Sequence, residues 1–214
     1  MSTAPQPDEL TRDFFARPAT AVAPDLLGCV VEHETADGLV GVRLTEVEAY
    51  LGEDDPGSHA YRGVTPRTRV MFGPPGHAYV YFSYGMHWCM NLVCEPAGSA
   101  AAVLLRAGEV VTGHELATAR RGGAPARDLA RGPARLTQAL GVDRRQDGSD
   151  VVDGGCALRV RAAGSPAARV LTGPRTGVGG GGATQPWRFH LPGEPTVSPY
   201  RPHQPRRRAP GSRE

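Results

Sequence analysis

The chain has 214 residues and a mass of 22.6 kDa, with 28 Gly, 20 Pro and 40% hydrophobic residues. That size suits one domain with a core of its own, and that composition favours a turn-rich, strand-heavy protein over a helical bundle. No stretch is apolar for long enough to cross a membrane, no signal-peptide pattern opens the chain, and four scattered cysteines (Cys29, Cys89, Cys94, Cys156) fit the reduced thiols of a cytoplasmic protein.

Charge is unevenly placed. Residues 1–58 carry 12 Asp and Glu against 3 Arg, a net of −9, while residues 59–214 carry 21 Arg against 10 Asp and Glu, a net of +11. An acidic start before a basic majority suits a face for a polyanion, with ordinary solvated charge as the alternative. All 24 basic residues are arginine. No lysine can therefore form a Schiff base, and imine chemistry is left to the N-terminal amine.

In chain order, residues 1–7 read as a loose end. Asp8 to Arg17 reads as a short helix carrying Leu10, Phe14 and Phe15 and stopped by Pro18, with a further helical turn over Pro24 to Gly28. Cys29 to His33 is a strand candidate, and Leu39 to Tyr50 is the longest alternating run. Val40, Val42, Leu44, Glu46, Glu48 and Tyr50 share one parity in it. An apolar face that turns into carboxylates reads as a strand leaving the core for a cleft, or as a strand end meeting solvent. A polar loop follows, Gly52 to Arg69, with His59, Arg62, Arg67 and Arg69. Loops of that length are functional or mobile.

Tyr79 to Asn91 holds three of the six tyrosines and one of the two tryptophans. Tyr79 to Ser83 alternates as a strand, Tyr84-Gly85 supplies a turn, and the returning strand puts His87, Cys89 and Asn91 on one face. Such a hairpin is either an aromatic core element or a projecting one. Ala101 to Ala107 is an apolar strand ending in Arg106. Gly113 to Arg121 and Pro133 to Leu140 read as helices, the second with Pro in its first turn and Gly141 as its stop. Residues 157–161, 169–172 and 186–191 are the last strand candidates. Gly173 to Gly182 matches neither a P-loop nor a dinucleotide fingerprint, and residues 199–214, with Arg206-Arg207-Arg208, read as a basic, disordered tail. His77, His87, Cys89 and Cys94 lack a zinc-binding spacing, and no G-x-S-x-G elbow is present, so neither a metal nor a serine nucleophile is expected.

Several stretches, in order, resemble the alkyladenine (3-methyladenine) DNA glycosylase family: Thr45 to Gly52, His59, Thr65-Pro66-Arg67, Met71-Phe72, Tyr79-Val80-Tyr81, Tyr84-Gly85-Met86 through Asn91, and Leu104 to Ala107. The likeness continues through Gly132-Pro133, Gln138 to Gly141, Gly173-Pro174-Arg175 and Pro186 to Phe189, and so spans roughly residues 12–198. The bare glycine run after Arg175 and the C-terminal tail depart from the pattern. The resemblance implies a single mixed α/β domain over residues 8–198, built on a curved antiparallel sheet of open-barrel or roll-like form, with surrounding helices and a protruding hairpin. It implies hydrolytic excision of alkylated or deaminated purines from double-stranded DNA by a monomer without cofactor or metal, in a bacterial cytoplasm at the nucleoid.

The roles it implies are specific. Glu48 is the general base for a water attacking the deoxyribose C1′, and Arg106 stands beside that water and favours the ionised Glu48. Tyr50 and Tyr81 sandwich the flipped base, His59 meets its edge, and Asn91 disfavours the exocyclic amine of guanine. Tyr84 is the wedge at the hairpin tip, and Arg62, Arg67, Arg69 and Arg175 are candidates for the DNA backbone. Glu46 is structural. The rival readings are a module that binds damaged DNA without chemistry, which has no use for a carboxylate at the sugar, and a small-molecule glycosidase using Glu46 and Glu48, which leaves the arginine excess unexplained.

Overall fold

A computed structural model of the chain describes residues 10–83, 85–152 and 156–204. The elements are α1 (Arg12–Phe15), α2 (Ala19–Asp25), β1 (Val30–Thr35), β2 (Gly38–Leu51), β3 (Ala78–Ser83), β4 (His87–Cys94), β5 (Ala101–Thr112), α3 (His114–Arg120), β6 (Ala130–Arg131), α4 (Pro133–Leu140), β7 (Leu158–Arg161), β8 (Leu171–Gly173) and β9 (Arg188–His190). All strand pairs are antiparallel and belong to one sheet, with the path β3-β4-β5-β2-β1-β7. β6 pairs with β5, while β9 takes over the edge of β2 at Glu46 to Glu48, beyond the end of β1, and pairs with β8. The result is a mixed α/β single domain around a large antiparallel sheet that does not close into a barrel.

The longest alternating run does become the longest strand, but its faces change along the way. Up to Leu44 the even residues Val40, Val42 and Leu44 are in the core; after it the odd residues Val47 and Ala49 are. The cause is visible in the register with β5. Leu44 pairs with Gly108 and Glu46 with Ala107, which leaves Thr45 extra on β2; Val47 then pairs with Leu105, which leaves Arg106 extra on β5. Bulges of this kind re-aim side chains. The strand does not leave the core, as simple alternation implied. It turns over, keeping an apolar face inward and sending Glu46, Glu48 and Tyr50 to the other side.

Helices cover the core face. α4 packs on β4 and β5, and α2 on β2 and β5. α4 runs over the residues expected, with Pro133 in its first turn and Gly141 past its end at φ 72, a conformation that costs glycine least. At the N-terminus the helix expected up to Arg17 is the single turn α1, and the turn expected over Pro24 to Gly28 is replaced by the longer α2, which Pro18 caps and which carries Pro24 in its last turn. The residues expected as a free tail from 199 are held as far as they are described. Ser198 is buried, and the Gly177 N–H donates to the Arg201 carbonyl at 2.9 Å. Residues 1–7, Tyr84 and residues 205–214 lie outside the described residues.

Candidate active site

The aromatic hairpin is both a core element and a cavity wall. In β3 and β4, Val80, Met90 and Leu92 point into the core. On the other face, Tyr79 pairs with Asn91, Tyr81 with Cys89, and Ser83 with His87. Those six residues line a cavity of about 820 Å³. The pairing continues across the sheet: Asn91 faces Leu104, Leu104 faces Glu48, and Glu48 faces Arg188. One straight row over five strands therefore joins the hairpin to the carboxylate. Directly opposed residues share a face, so the topology alone brings Tyr79, Asn91, Glu48 and Arg188 to the same side.

His59, from the loop after β2, closes the aromatic cluster. Its ring stands edge-on to Tyr81 at 4.5 Å, and its Nδ1 lies 3.3 Å from the Tyr79 hydroxyl. Tyr79 and Tyr81 stack at 5.4 Å. Close packing among these rings, and then the charge of Arg67, lower the His59 pKa to about 4, so the imidazole facing the cavity is neutral at pH 7. The Arg67 guanidinium lies over the Tyr81 ring at 5.2 Å. At the inner end, the Asn91 Nδ2–H donates to the Tyr79 carbonyl at 3.1 Å, which fixes the orientation of the amide.

Glu48 is fully buried, one group behind the cavity wall. Its Oε2 accepts from the Tyr50 hydroxyl at 2.9 Å and from Arg106 at 3.3 Å, and its Oε1 accepts from the Thr176 N–H at 2.7 Å. Tyr50, Arg106 and Thr176 all line the cavity. Burial, and then the Glu48 charge, raise the Tyr50 pKa well above its ordinary value, so that hydroxyl stays a donor. Burial alone would lower the pKa of Arg106; Glu48 and Glu46 together raise it instead.

Glu46 has a different task. It is fully buried and accepts from Arg106 Nε at 2.9 Å, Arg188 Nε at 2.7 Å, the Ser198 N–H at 2.6 Å and the Ser198 hydroxyl at 3.0 Å. Burial would raise its pKa, but Arg106, Arg188 and Ser198 overcome that and lower it. Every oxygen is occupied by protein, as befits the structural role expected of it. Arg106, squeezed out of register on β5, bridges the two acids.

Arg175 requires a correction. It was expected at the DNA backbone, yet it is fully buried and cannot reach a phosphate. Its Nη2 donates to Asp55 Oδ1 at 2.7 Å and its Nη1 to the Ala49 carbonyl at 3.0 Å. The guanidinium lies over the rings of Tyr50, at 4.4 Å, and Trp187, at 5.0 Å, so at most one face of Tyr50 is open to a base. One glycine of the run, Gly182, has a reason here: a Cβ on it would come within 2.8 Å of the Arg175 guanidinium, as would one on Gly57, outside the run, within 2.6 Å. That guanidinium is held by its ion pair and cannot step aside.

Of the expected site residues, Glu48, Arg106, Tyr50, His59, Tyr81 and Asn91 converge on this one place, with Arg67 at its mouth. Arg62 and Arg69 are exposed on the same loop. The donor Thr176, the clamp Arg188 and Ser198, and the pairing of Asp55 with Arg175 were missed. Alternation signals a strand face; of these residues only Arg188 lay on a stretch marked as a strand, 186–191, and nothing in that stretch marked the face as functional.

The model of the methylpurine-DNA glycosylase family matches residues 13–195. A Streptomyces avermitilis protein named "Putative 3-methyladenine DNA glycosylase" is 58% identical over 211 residues, covering 97% of this chain and 99% of the relative. Proteins of the same name from Leifsonia xyli (54% identical; 90% of this chain, 92% of the relative) and Frankia casuarinae (55%; 91% and 94%) are also similar. With the match running through every strand of the sheet, the chain belongs to the methylpurine-DNA glycosylase family, whose members are N-glycosyl hydrolases acting on DNA.

Proposed function

We propose that the protein flips 3-methyladenine-type purines out of duplex DNA into the tyrosine-lined cavity, and that Glu48 activates the water that breaks the N-glycosidic bond. The observation that carries this reading is the row from Tyr79 and Asn91 to Glu48, which puts a carboxylate directly behind an aromatic cavity. Flipping costs a few kcal/mol, least for a damaged base. An N3- or N7-alkylated purine is cationic, and contact with the faces of Tyr50 and Tyr81 stabilises it by roughly 0.5–2 kcal/mol each. Asn91 at the inner end disfavours guanine.

In the reaction, a water oxygen bonds to C1′, its proton passes to Glu48, and the C1′–N bond electrons leave with the purine, cancelling its positive charge. The water enters by displacing one of the donors that cover Glu48. Neutral bases such as hypoxanthine or ethenoadenine need a proton on leaving and are the slower substrates. Tyr84 serves as the wedge in the minor groove, helped by the exposed Phe82 and Met86 beside it. Arg62, Arg67 and Arg69 meet phosphates.

The decisive experiment incubates the protein with duplexes carrying 3-methyladenine, hypoxanthine, ethenoadenine or no lesion, and measures free base. Release from 3-methyladenine is expected first. A protein that binds these duplexes and releases nothing is a binding module, and the reading fails.

The product is expected to be an intact abasic site, since the chain has no lysine to form an imine at C1′. Borohydride during turnover should trap no protein–DNA adduct, and breaks should appear only after alkali. A trapped adduct would point to the N-terminal amine.

A neutral His59 sets the expected pH profile. Since its pKa is about 4, it gains a proton only as pH falls through that value, and the new charge would then repel a cationic base. Excision of 3-methyladenine by the wild type and by His59→Gln should therefore share one profile between about pH 5.5 and 8. An inflection near pH 6.5 present only in the wild type would overturn this assignment.

A further inference from the structure

A second cavity, of about 540 Å³, shares the wall formed by Arg106, Thr176 and Arg201 with the base cavity. Arg131 and Arg135 also line it, with Asp128 as the acidic residue. Asp128 lies 3.5 Å from each of those two arginines and 3.4 Å from Arg127, so one carboxylate is shared among three cations. Among the described residues, no acceptor holds the side chain of Arg201, which is exposed. The cavity is thus short of negative charge, and it adjoins the chemistry.

Arg201 is also held in place, although it lies beyond the residues matched by the family model. Before it, Arg131 Nε donates to the Val197 carbonyl at 3.0 Å and Arg188 donates to the Ser198 carbonyl at 2.9 Å. At Arg201 itself, the carbonyl accepts from the Gly177 N–H, and His203 Nδ1 then lies 3.2 Å from the Gly177 carbonyl. These contacts use the carbonyls of Val197, Ser198 and Arg201 and the His203 ring, and leave the guanidinium unused. With the backbone already pinned, only the side chain's own freedom is lost when an anion arrives.

We propose that Arg201, with Arg131 and Arg135, forms a phosphate subsite for the DNA strand at the flipped nucleotide. The inference rests on the DNA reading above. Within a nucleotide only the sugar separates the base from its phosphates. With the base among the tyrosines and C1′ near Glu48, the sugar lies at the wall of Arg106 and Thr176, and a phosphate falls on its far side. Arginine offers that phosphate a two-pronged, charge-assisted contact. The C-terminal segment is then part of the DNA-binding machinery, and Arg206-Arg207-Arg208 follow after four further residues.

The test uses full-length protein and a duplex with a tetrahydrofuran abasic analogue, with binding measured across a salt series. Arg201→Ala should weaken binding about tenfold and lower the slope of log K against log salt by about 1. Arg201→Lys should restore the slope. A methylphosphonate replacing one of the two phosphates that flank the analogue should cost the wild type as much as Arg201→Ala does, and cost that variant nothing further. Unchanged affinity and slope in Arg201→Ala overturn the subsite. So does a loss that is equal on native and methylphosphonate duplexes, which would mean that the residue merely secures the C-terminal segment. If the wild type releases base and only these effects are missing, the subsite alone falls. If the wild type neither binds duplex nor releases base, the functional reading falls with it.

Discussion

Glu48→Gln is expected to lower single-turnover excision of 3-methyladenine by about 10²–10⁴-fold, the range that a positioned general base contributes. Glutamine preserves the shape, and its oxygen can still accept from the Thr176 N–H or the Tyr50 hydroxyl. Arg106 keeps a carboxylate partner in Glu46 at 2.9 Å, so no buried cation is stranded. Duplex affinity and melting temperature should therefore stay close to wild type. Excision within a few-fold of wild type would move the base elsewhere. Glu46 would be a poor replacement, because four protein donors already occupy its oxygens.

Asp55→Ala should produce the largest loss of stability, about 3–5 kcal/mol. Both members of the Asp55–Arg175 pair are fully buried, and the substitution leaves a guanidinium inside the protein with the Ala49 carbonyl as its remaining acceptor. Asp55 also accepts from the N–H groups of Leu51 and Gly57, at 3.3 and 2.9 Å, so the turn after β2 loses its tie as well. For a chain of this size each kcal/mol corresponds to about 2–4 °C, and a fall of roughly 6–20 °C should be seen by calorimetry. A shift below about 2 °C would show that the pair contributes little. Excision should fall too, since Arg175 supports one face of Tyr50.

How much of this was legible in the chain depended on the type of signal. Period-2 alternation put Tyr79 and Tyr81 on one face of the first hairpin strand and His87, Cys89 and Asn91 on one face of the second, and the register joins the two sets in the cavity wall. α4, marked by Pro133 and Gly141, begins and ends as expected. The same alternation misled in β2, because the extra Thr45 reverses the faces and no local residue announces a bulge. Arg175 misled for another reason: an arginine buried by a distant aspartate and one bound for a phosphate look alike in sequence. Which contact an arginine makes is decided by residues far along the chain, here Asp55, 120 positions away.

Arg106 holds Glu46, a girder of the fold, with its Nε and Glu48, the proposed base, with its Nη1. The two jobs are thus wired through a single side chain. A mutation that changes how the base is held by altering Arg106 also loosens the joint between β2, β5 and the C-terminal segment, so drift towards new chemistry by that route carries a folding penalty. Change comes more freely at positions such as His59 and Arg67, which touch the cavity and hold up little else. Laboratory selection for new lesion preferences should therefore accumulate substitutions in the loop after β2 and leave the acid–arginine lattice untouched.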